Sequence, residues 1–343
     1  MAVKDSVRWG IIGPGGIARD FLAGAQGSLT GEIVAIGTRR PDNPDLSRDF
    51  PGIRIVAGGE ALIRDPEVDA VYVATPHPMH AEWAIAAAKA GRHVLCEKPM
   101  GMTLGETEAM FAAAEAAGVL MAEAFMYRHH PLIQAILDLV GSGAIGDIRL
   151  IRSSFGFAVP QADPGHRLFA RALGGGAILD VGGYPASMCR LIAGVGTSEG
   201  VAEPVNVVAQ GRFGETGVDD VAAATLTFPN NVIAQLSCSI VAWQDNVLHV
   251  MGTEGRLEVD DFWFGGGKSG GTAVIRHYDN QGRRTDHGVS DPRNLYSFQF
   301  EATNRAILAG HSELAFPAMS RADSIGNARL LDSWLAAIGA APY

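Results

Sequence analysis

Apolar residues in the first third of the chain fall into short runs separated by segments of helical character. Residues 7–12 form one such run with a glycine inside it, suited to a strand buried on both faces. Further strands are expected at 32–38, 70–74, 93–96 and 119–122. Helices are expected at 17–25, at the Ala-rich, breaker-free 81–90 closed by Gly91, and at 109–117. Thr103 and Glu106 fit a capping box ahead of the last. Strands alternating with helices imply a parallel sheet with helices on both faces.

After about residue 125 the pattern changes. Residues 131–140 and 182–192 read as helices. From 205 onward the segments read as strands joined by short polar turns: 205–213, 221–228, 232–240, 247–251, 256–259 and 273–278. Pro229-Asn230-Asn231 is a hairpin signal between the second and third. A mostly antiparallel sheet of about six strands is therefore expected, followed by helices at 297–309 and 322–337, the latter behind a cap at Ser320 with Asp323. Residues 265–271 are glycine-rich and expected to be a mobile loop.

A length of 343 residues suggests two domains. The pattern places them at 1–125, a doubly wound dinucleotide-binding α/β domain, and 126–343, an α+β domain with an open, mostly antiparallel sheet. Lys and Arg total 27 against 37 Asp and Glu, a net charge of −10, which argues against a nucleic-acid partner. No apolar run approaches a membrane span, and the first run is too short for a signal-peptide core. Cys96, Cys189 and Cys238 are scattered, as in a reduced, cytoplasmic protein.

Gly13-Pro14-Gly15-Gly16-Ile17-Ala18 fits G-x-G-x-x-A between a strand and a helix. Gly13 permits the tight turn, Gly15 lets backbone approach a pyrophosphate, and Ala18 allows helix to lie close on strand. The helix start then supplies an anion site. The second strand ends in Thr38-Arg39-Arg40, with no carboxylate before Asp42. An NAD site usually presents an acid there, whereas a hydroxyl and guanidinium suit a 2′-phosphate, so NADP is favoured and NAD left open. Glu97-Lys98-Pro99 follows the fourth strand at the ligand edge of the sheet, and Thr75-Pro76-His77-Pro78-Met79-His80 occupies the equivalent edge of the third. His77 and His80 lack a third partner at a recognisable spacing, so no metal is expected. In the second half, Gly174-Gly175-Gly176 precedes Asp180 and Tyr184, which share a face if helix begins near 180. Lys268 fails as a P-loop lysine because Phe262 stands where glycine is required.

Together these motifs, with Glu123-Ala124-Phe125-Met126-Tyr127-Arg128 and Pro131, resemble the Gfo/Idh/MocA oxidoreductases over most of the chain. Tyr184, where inositol-dehydrogenase-like members tend to carry histidine, resembles the dihydrodiol and NADP-dependent xylose dehydrogenase branch. The resemblance implies a Rossmann domain, a sheet through which members form homodimers or homotetramers, and NADP-dependent hydride transfer at a hydroxyl or carbonyl carbon of a sugar, polyol or dihydrodiol. It implies Lys98, Tyr184 and Asp180 as catalytic residues. It places Gly13, Gly15, Gly16, Ile17, Ala18, Thr38, Arg39, Arg40, Thr75, Pro76, His80, Glu97, Lys98 and Arg128 at the cofactor. His166 and Arg167, in the 160–173 loop, join Lys98, Asp180 and Tyr184 at the substrate. Relatives often have an aromatic where His166 stands. Two other readings remain: a non-catalytic NADP-binding sensor, and an NAD-retaining glycosidase of the same fold.

Overall fold

A computed structural model describes residues 5–159 and 163–343. The chain divides into two compact units, one running to residue 129 and including 293–324, the other comprising 130–292 and 325–343.

The first unit is a six-stranded parallel sheet in the order β3-β2-β1-β4-β5-β6. Its strands are β1 (Val7–Ile12), β2 (Gly31–Thr38), β3 (Arg54–Ala57), β4 (Ala70–Val73), β5 (His93–Glu97) and β6 (Met121–Ala124). The helices between them are α1 (Gly16–Ala25), α2 (Asp45–Asp49), α3 (Gly59–Ile63), α4 (His80–Lys89) and α5 (Leu104–Ala117). Thr103 caps α5 by accepting from the Glu106 amide at 3.2 Å, and Gly118 ends it in the left-handed conformation. The strand order reverses between β1 and β4, so their carboxyl ends form the crevice where doubly wound folds bind ligands.

Trp9, Phe21, Tyr72 and Phe300 are fully buried in the core beneath this sheet. Phe21 stacks on Tyr72 with ring centroids 3.9 Å apart, and the Trp9 indole donates to Asn304 Oδ1 at 2.7 Å. Phe300 and Asn304 lie on a helix from far along the chain, Leu295–Leu308. It approaches α1 at Gly24, where a Cβ would stand 2.6 Å from that of Tyr296.

In the second unit, α6 (Pro131–Gly141) leads into β7 (Ile148–Gly156), and α7 (Gly183–Ala193) precedes a run of strands. These are β8 (Asn206–Phe213), β9 (Asp219–Thr227), β10 (Ile233–Ser239), β11 (Leu248–Gly252), β12 (Gly255–Val259), β13 (Gly271–Asp279) and β14 (Arg284–Asp291). The helix Leu295–Leu308 is then α8, and Arg321–Ala337 is α9. The eight strands order as β14-β13-β12-β11-β7-β10-β9-β8. All neighbours are antiparallel except β7 and β10. The sheet thus has two strands beyond the six expected, β7 and β14. Residues 265–271 hold a defined course: Gly266 and Gly270 have φ of +95° and +92°, and a Cβ on either would strike backbone. Among the described residues no helix is long and apolar enough to cross a membrane.

Candidate active site

At the ligand edge of the first unit, β1 runs into α1 through Gly13, Pro14 and Gly15. Gly13 has φ +97°, and a Cβ there would lie 2.7 Å from the Ala74 carbonyl oxygen. Gly15 is different: a Cβ would meet nothing within 4 Å. Helix α1 begins at Gly16 with no side-chain cap and no acid in its first turn, so its leading amides and positive dipole end suit an anion. Ala18 is fully buried, and Ile17 packs partly against the core.

A cavity of about 330 Å³ opens beside this loop. Gly13 and Gly15 line one side, Thr38, Arg39 and Arg40 another, and Thr75 and Pro76 a third. Thr38 Oγ1 accepts from the Arg40 amide at 3.2 Å, tying the end of β2 into a tight turn. Arg39 and Arg40 are exposed, and among the described residues neither makes an ion pair. The described lining contains no carboxylate. An open glycine, an uncapped helix start and two guanidiniums fit a dinucleotide with a 2′-phosphate; a ribose diol would find no acid to accept its hydrogen bonds. Trp83, on α4, also lines the cavity, and a Cβ on Gly59 would stand 2.6 Å from its ring. Sequence reasoning passed over it inside an Ala-rich helix.

The strands β4 and β5 end beside one another. His80, fully buried, places Nδ1 2.8 Å from the Pro99 carbonyl oxygen and Nε2 3.0 Å from that of Thr75. Burial, with the Lys98 charge adding to it, holds His80 below the usual histidine pKa, against the pull of the two carbonyls. Glu97 is buried, accepting from the Tyr72 hydroxyl and from the Lys98 amide, the latter at 3.3 Å. Lys98 is half-buried. Arg128 has no exposed side-chain surface; it donates to Asp323 at 2.6 Å and to the Pro317 carbonyl at 2.7 Å. His80, Glu97 and Arg128, all expected at the cofactor, are thus interior groups, and none is among the residues lining the cavity. Hydrogen bonds to the protein's own backbone and side chains engage all three.

The second unit carries the remaining candidates. A π-helical turn, Ile178–Gly182, continues directly into α7, so helix begins slightly before Asp180. Asp180 is buried and accepts from Arg167 Nη1 at 2.6 Å, while the Arg167 side chain stays half exposed. Tyr184 lies one residue into α7, its ring edge-on to Phe155 at 5.0 Å and to Trp263 at 5.5 Å. Phe155 stacks on Trp263. Neither was foreseen: Phe155 lies on β7, which was missed, and Trp263 in a short helical turn after β12. His166 is exposed and accepts from the Leu168 amide at 3.3 Å. Of the loop 160–173 expected at the substrate, 160–162 lie outside the described residues. Among the described residues no group of three potential metal ligands gathers anywhere.

Comparison with known proteins agrees with these features. Residues 7–125 match the oxidoreductase family with NAD-binding Rossmann fold, and 133–258 match the GFO/IDH/MocA C-terminal domain. The chain is 33% identical to mouse trans-1,2-dihydrobenzene-1,2-diol dehydrogenase over 75% of its own length and 76% of the relative's. It is 32% identical to a Haloferax volcanii D-xylose 1-dehydrogenase (NADP(+)), covering 95% of both. Among solved structures, a 3-ketoreductase from Actinomadura kijaniata in complex with NADP and TDP-benzene superposes with a TM-score of 0.86 at 30% identity, over 97% of this chain and 98% of that one. With both halves matched and relatives aligned along almost its full length, the chain belongs to the GFO/IDH/MocA family of oxidoreductases.

Proposed function

We propose that this chain catalyses reversible, NADP-dependent oxidation of a hydroxyl-bearing carbon in a sugar, polyol or dihydrodiol. The observation that carries this reading is the carboxylate-free cavity walled by Gly13, Gly15, Thr38, Arg39 and Arg40. The relatives support it: their names describe dehydrogenation of a dihydrodiol and of xylose, and reduction of a ketone with NADP present.

When bound, the nicotinamide takes or gives the hydride. The protein must hold the reacting carbon and move one proton on its oxygen. We assign Tyr184 as the proton carrier and Lys98 as the cation serving the substrate oxygen. An ordinary phenol, near pKa 10, is a weak base at neutral pH, so a cation that stabilises developing oxygen charge is needed. The aromatic shell of Phe155 and Trp263 fixes the tyrosine ring and excludes water from it. Asp180 holds Arg167, and together they offer an acceptor and donors for substrate hydroxyls, with His166 on the same loop.

We also infer a homodimer or homotetramer through the open face of the eight-stranded sheet, where Val208 and Ile233 stand exposed. Three buried, unpaired thiols support a cytoplasmic setting.

The test is turnover of aldoses, polyols and dihydrodiols with both cofactors, in the wild type and in Lys98→Met and Tyr184→Phe. Each substitution should lower kcat by about 10²- to 10⁴-fold with NADPH affinity retained. Undiminished turnover in either variant overturns the assignment.

A further inference from the structure

The turn that presents Asp180 has no cap of its own. Ala177 stands at the N-cap position of Ile178–Gly182 and offers no side-chain acceptor. The leading amides of a helical segment need partners, more so when buried, and Ile178 and Asp180 are both buried.

The partner comes from the sheet. Asp219, the first residue of β9, is 1% exposed, and its Oδ2 accepts from the Ile178 amide at 2.8 Å. The Ala177 amide donates to the same carboxylate. The approach of this side chain explains the last glycine before the turn. A Cβ on Gly176, whose φ is +128°, would collide with Asp219 Oδ1. A Cβ on Gly175 would lie 2.7 Å from the Leu168 carbonyl oxygen, and the Gly175 carbonyl accepts from the Tyr343 hydroxyl. Gly176 is therefore glycine to make room for a carboxylate on β9, while Gly175 is glycine to make room for the Leu168 carbonyl.

We propose that Asp219 is a positioning residue for the substrate half of the site: from the neighbouring strand it caps the turn that presents Asp180 and, four residues on, Tyr184. The proposal rests on the roles assigned above to those two residues. Asp219 does not act on substrate. It sets the first turn of a continuous helical segment, and displacement there would move the Asp180 carboxylate, its partner Arg167 and the tyrosine together.

Titration gives a second handle. Burial pushes Asp219 up to about 7, against the pull of the amides it accepts from, with the Asp220 charge adding to the rise. Facing it are Asp220, itself paired with Arg212 at 2.7 Å, the Cys238 thiol, and the Tyr343 phenol. A carboxylate is the stronger acceptor for amide donors, so the turn is held best above this value and loosens as Asp219 protonates.

Asp219→Ala and Asp219→Asn in the full chain test the idea, since asparagine keeps an acceptor oxygen and loses the charge. In Asp219→Ala, amides within residues 176–182 should exchange with solvent about tenfold faster, kcat/KM should fall about tenfold, and NADPH affinity should not change. Asp219→Asn should recover part of the exchange protection and of kcat/KM, and lose any rise in kcat/KM with pH near 7 seen in the wild type. Wild-type exchange in Asp219→Ala, or a matching loss of NADPH affinity, overturns the proposal. So does a pH limb near 7 persisting in Asp219→Asn, which decides alone if the alanine variant does not fold. If the wild type turns over no hydroxyl or carbonyl compound, the functional reading fails, while amide exchange still judges Asp219.

Discussion

The imidazole of His80 joins the two loops at the ligand edge, with Nδ1 2.8 Å from the Pro99 carbonyl and Nε2 3.0 Å from that of Thr75. One loop carries Lys98, the other lines the nucleotide cavity, so a single buried ring stands between the turn of the proposed catalytic lysine and the cofactor wall, and when neutral donates to one of the two carbonyls. Its pKa lies below the ordinary value, mainly through burial. A histidine depressed in the folded state binds fewer protons there than when unfolded. Its stabilisation is therefore complete above about pH 6.5 and is lost as pH falls through the folded value, with a slope of up to ~1.4 kcal/mol per pH unit. His80→Asn should cost about 1–3 kcal/mol near neutrality by losing one brace, and should flatten that acid slope. Denaturant unfolding at about pH 7.5 and about pH 5.5 measures both; an unchanged slope in the variant would refute the assignment.

The glycine loop separates a folding requirement from a binding one. Gly13→Ala forces a side chain into a positive φ and against the Ala74 carbonyl, so it should destabilise the protein by roughly 1–3 kcal/mol. Gly15→Val meets no protein atom within 4 Å of its Cβ and should leave the melting temperature close to wild type. It should nevertheless weaken NADPH by at least about tenfold, by filling the space a pyrophosphate needs. Calorimetry with NADPH, beside thermal melts, distinguishes the two; tight binding by the Gly15 variant would argue against this loop as the nucleotide cradle.

Cofactor choice falls to Arg39. Arg39→Ala should weaken NADPH by about 10- to 100-fold through loss of a charge-assisted contact to the 2′-phosphate, and should leave NADH nearly unaffected. Equal losses for the two nucleotides would shift the preference to NAD.

The proposed assembly makes its own prediction. Val208 and Ile233 are 61% and 43% exposed on neighbouring parts of the sheet, large apolar side chains of the kind found at interfaces. The double variant Val208→Glu, Ile233→Glu should sediment as a monomer while the wild type sediments as a dimer or tetramer. A monomeric wild type removes the proposed oligomer outright.

Much of the first unit was legible because its determinants are local. The apolar run of β1, the glycine loop and the capped helix α5 each declare themselves within a dozen residues. The missing pieces are those whose reasons are tertiary. Strand β3 is four residues long and β14, Arg284–Asp291, is almost wholly polar; both are sheet edges, where packing asks little of the side chains. In β7, serines at 153 and 154 are buried between β10 and β11, so the strand lacks a clean apolar alternation. At the site, the residue types at Gly13, Thr38 and Arg39 suggested a nucleotide, and the structure brings all three to the lining of one cavity. For His80, Glu97 and Arg128 the sequence showed polar groups near a motif and could not show that the fold's own carbonyls, hydroxyls and carboxylates engage them.

The indole of Trp9 and its partner Asn304 are 295 residues apart. On the ribosome, the sheet that starts first must wait for a helix made late, with residues 130–292 of the second unit synthesised in between. Until then Trp9 lacks its acceptor and Phe21 lacks the cover of Phe300. The nucleotide-binding part is thus the first to emerge yet cannot close until α8 has followed it, and a fragment cut after residue 292 would leave this aromatic patch bare to solvent or to chaperones.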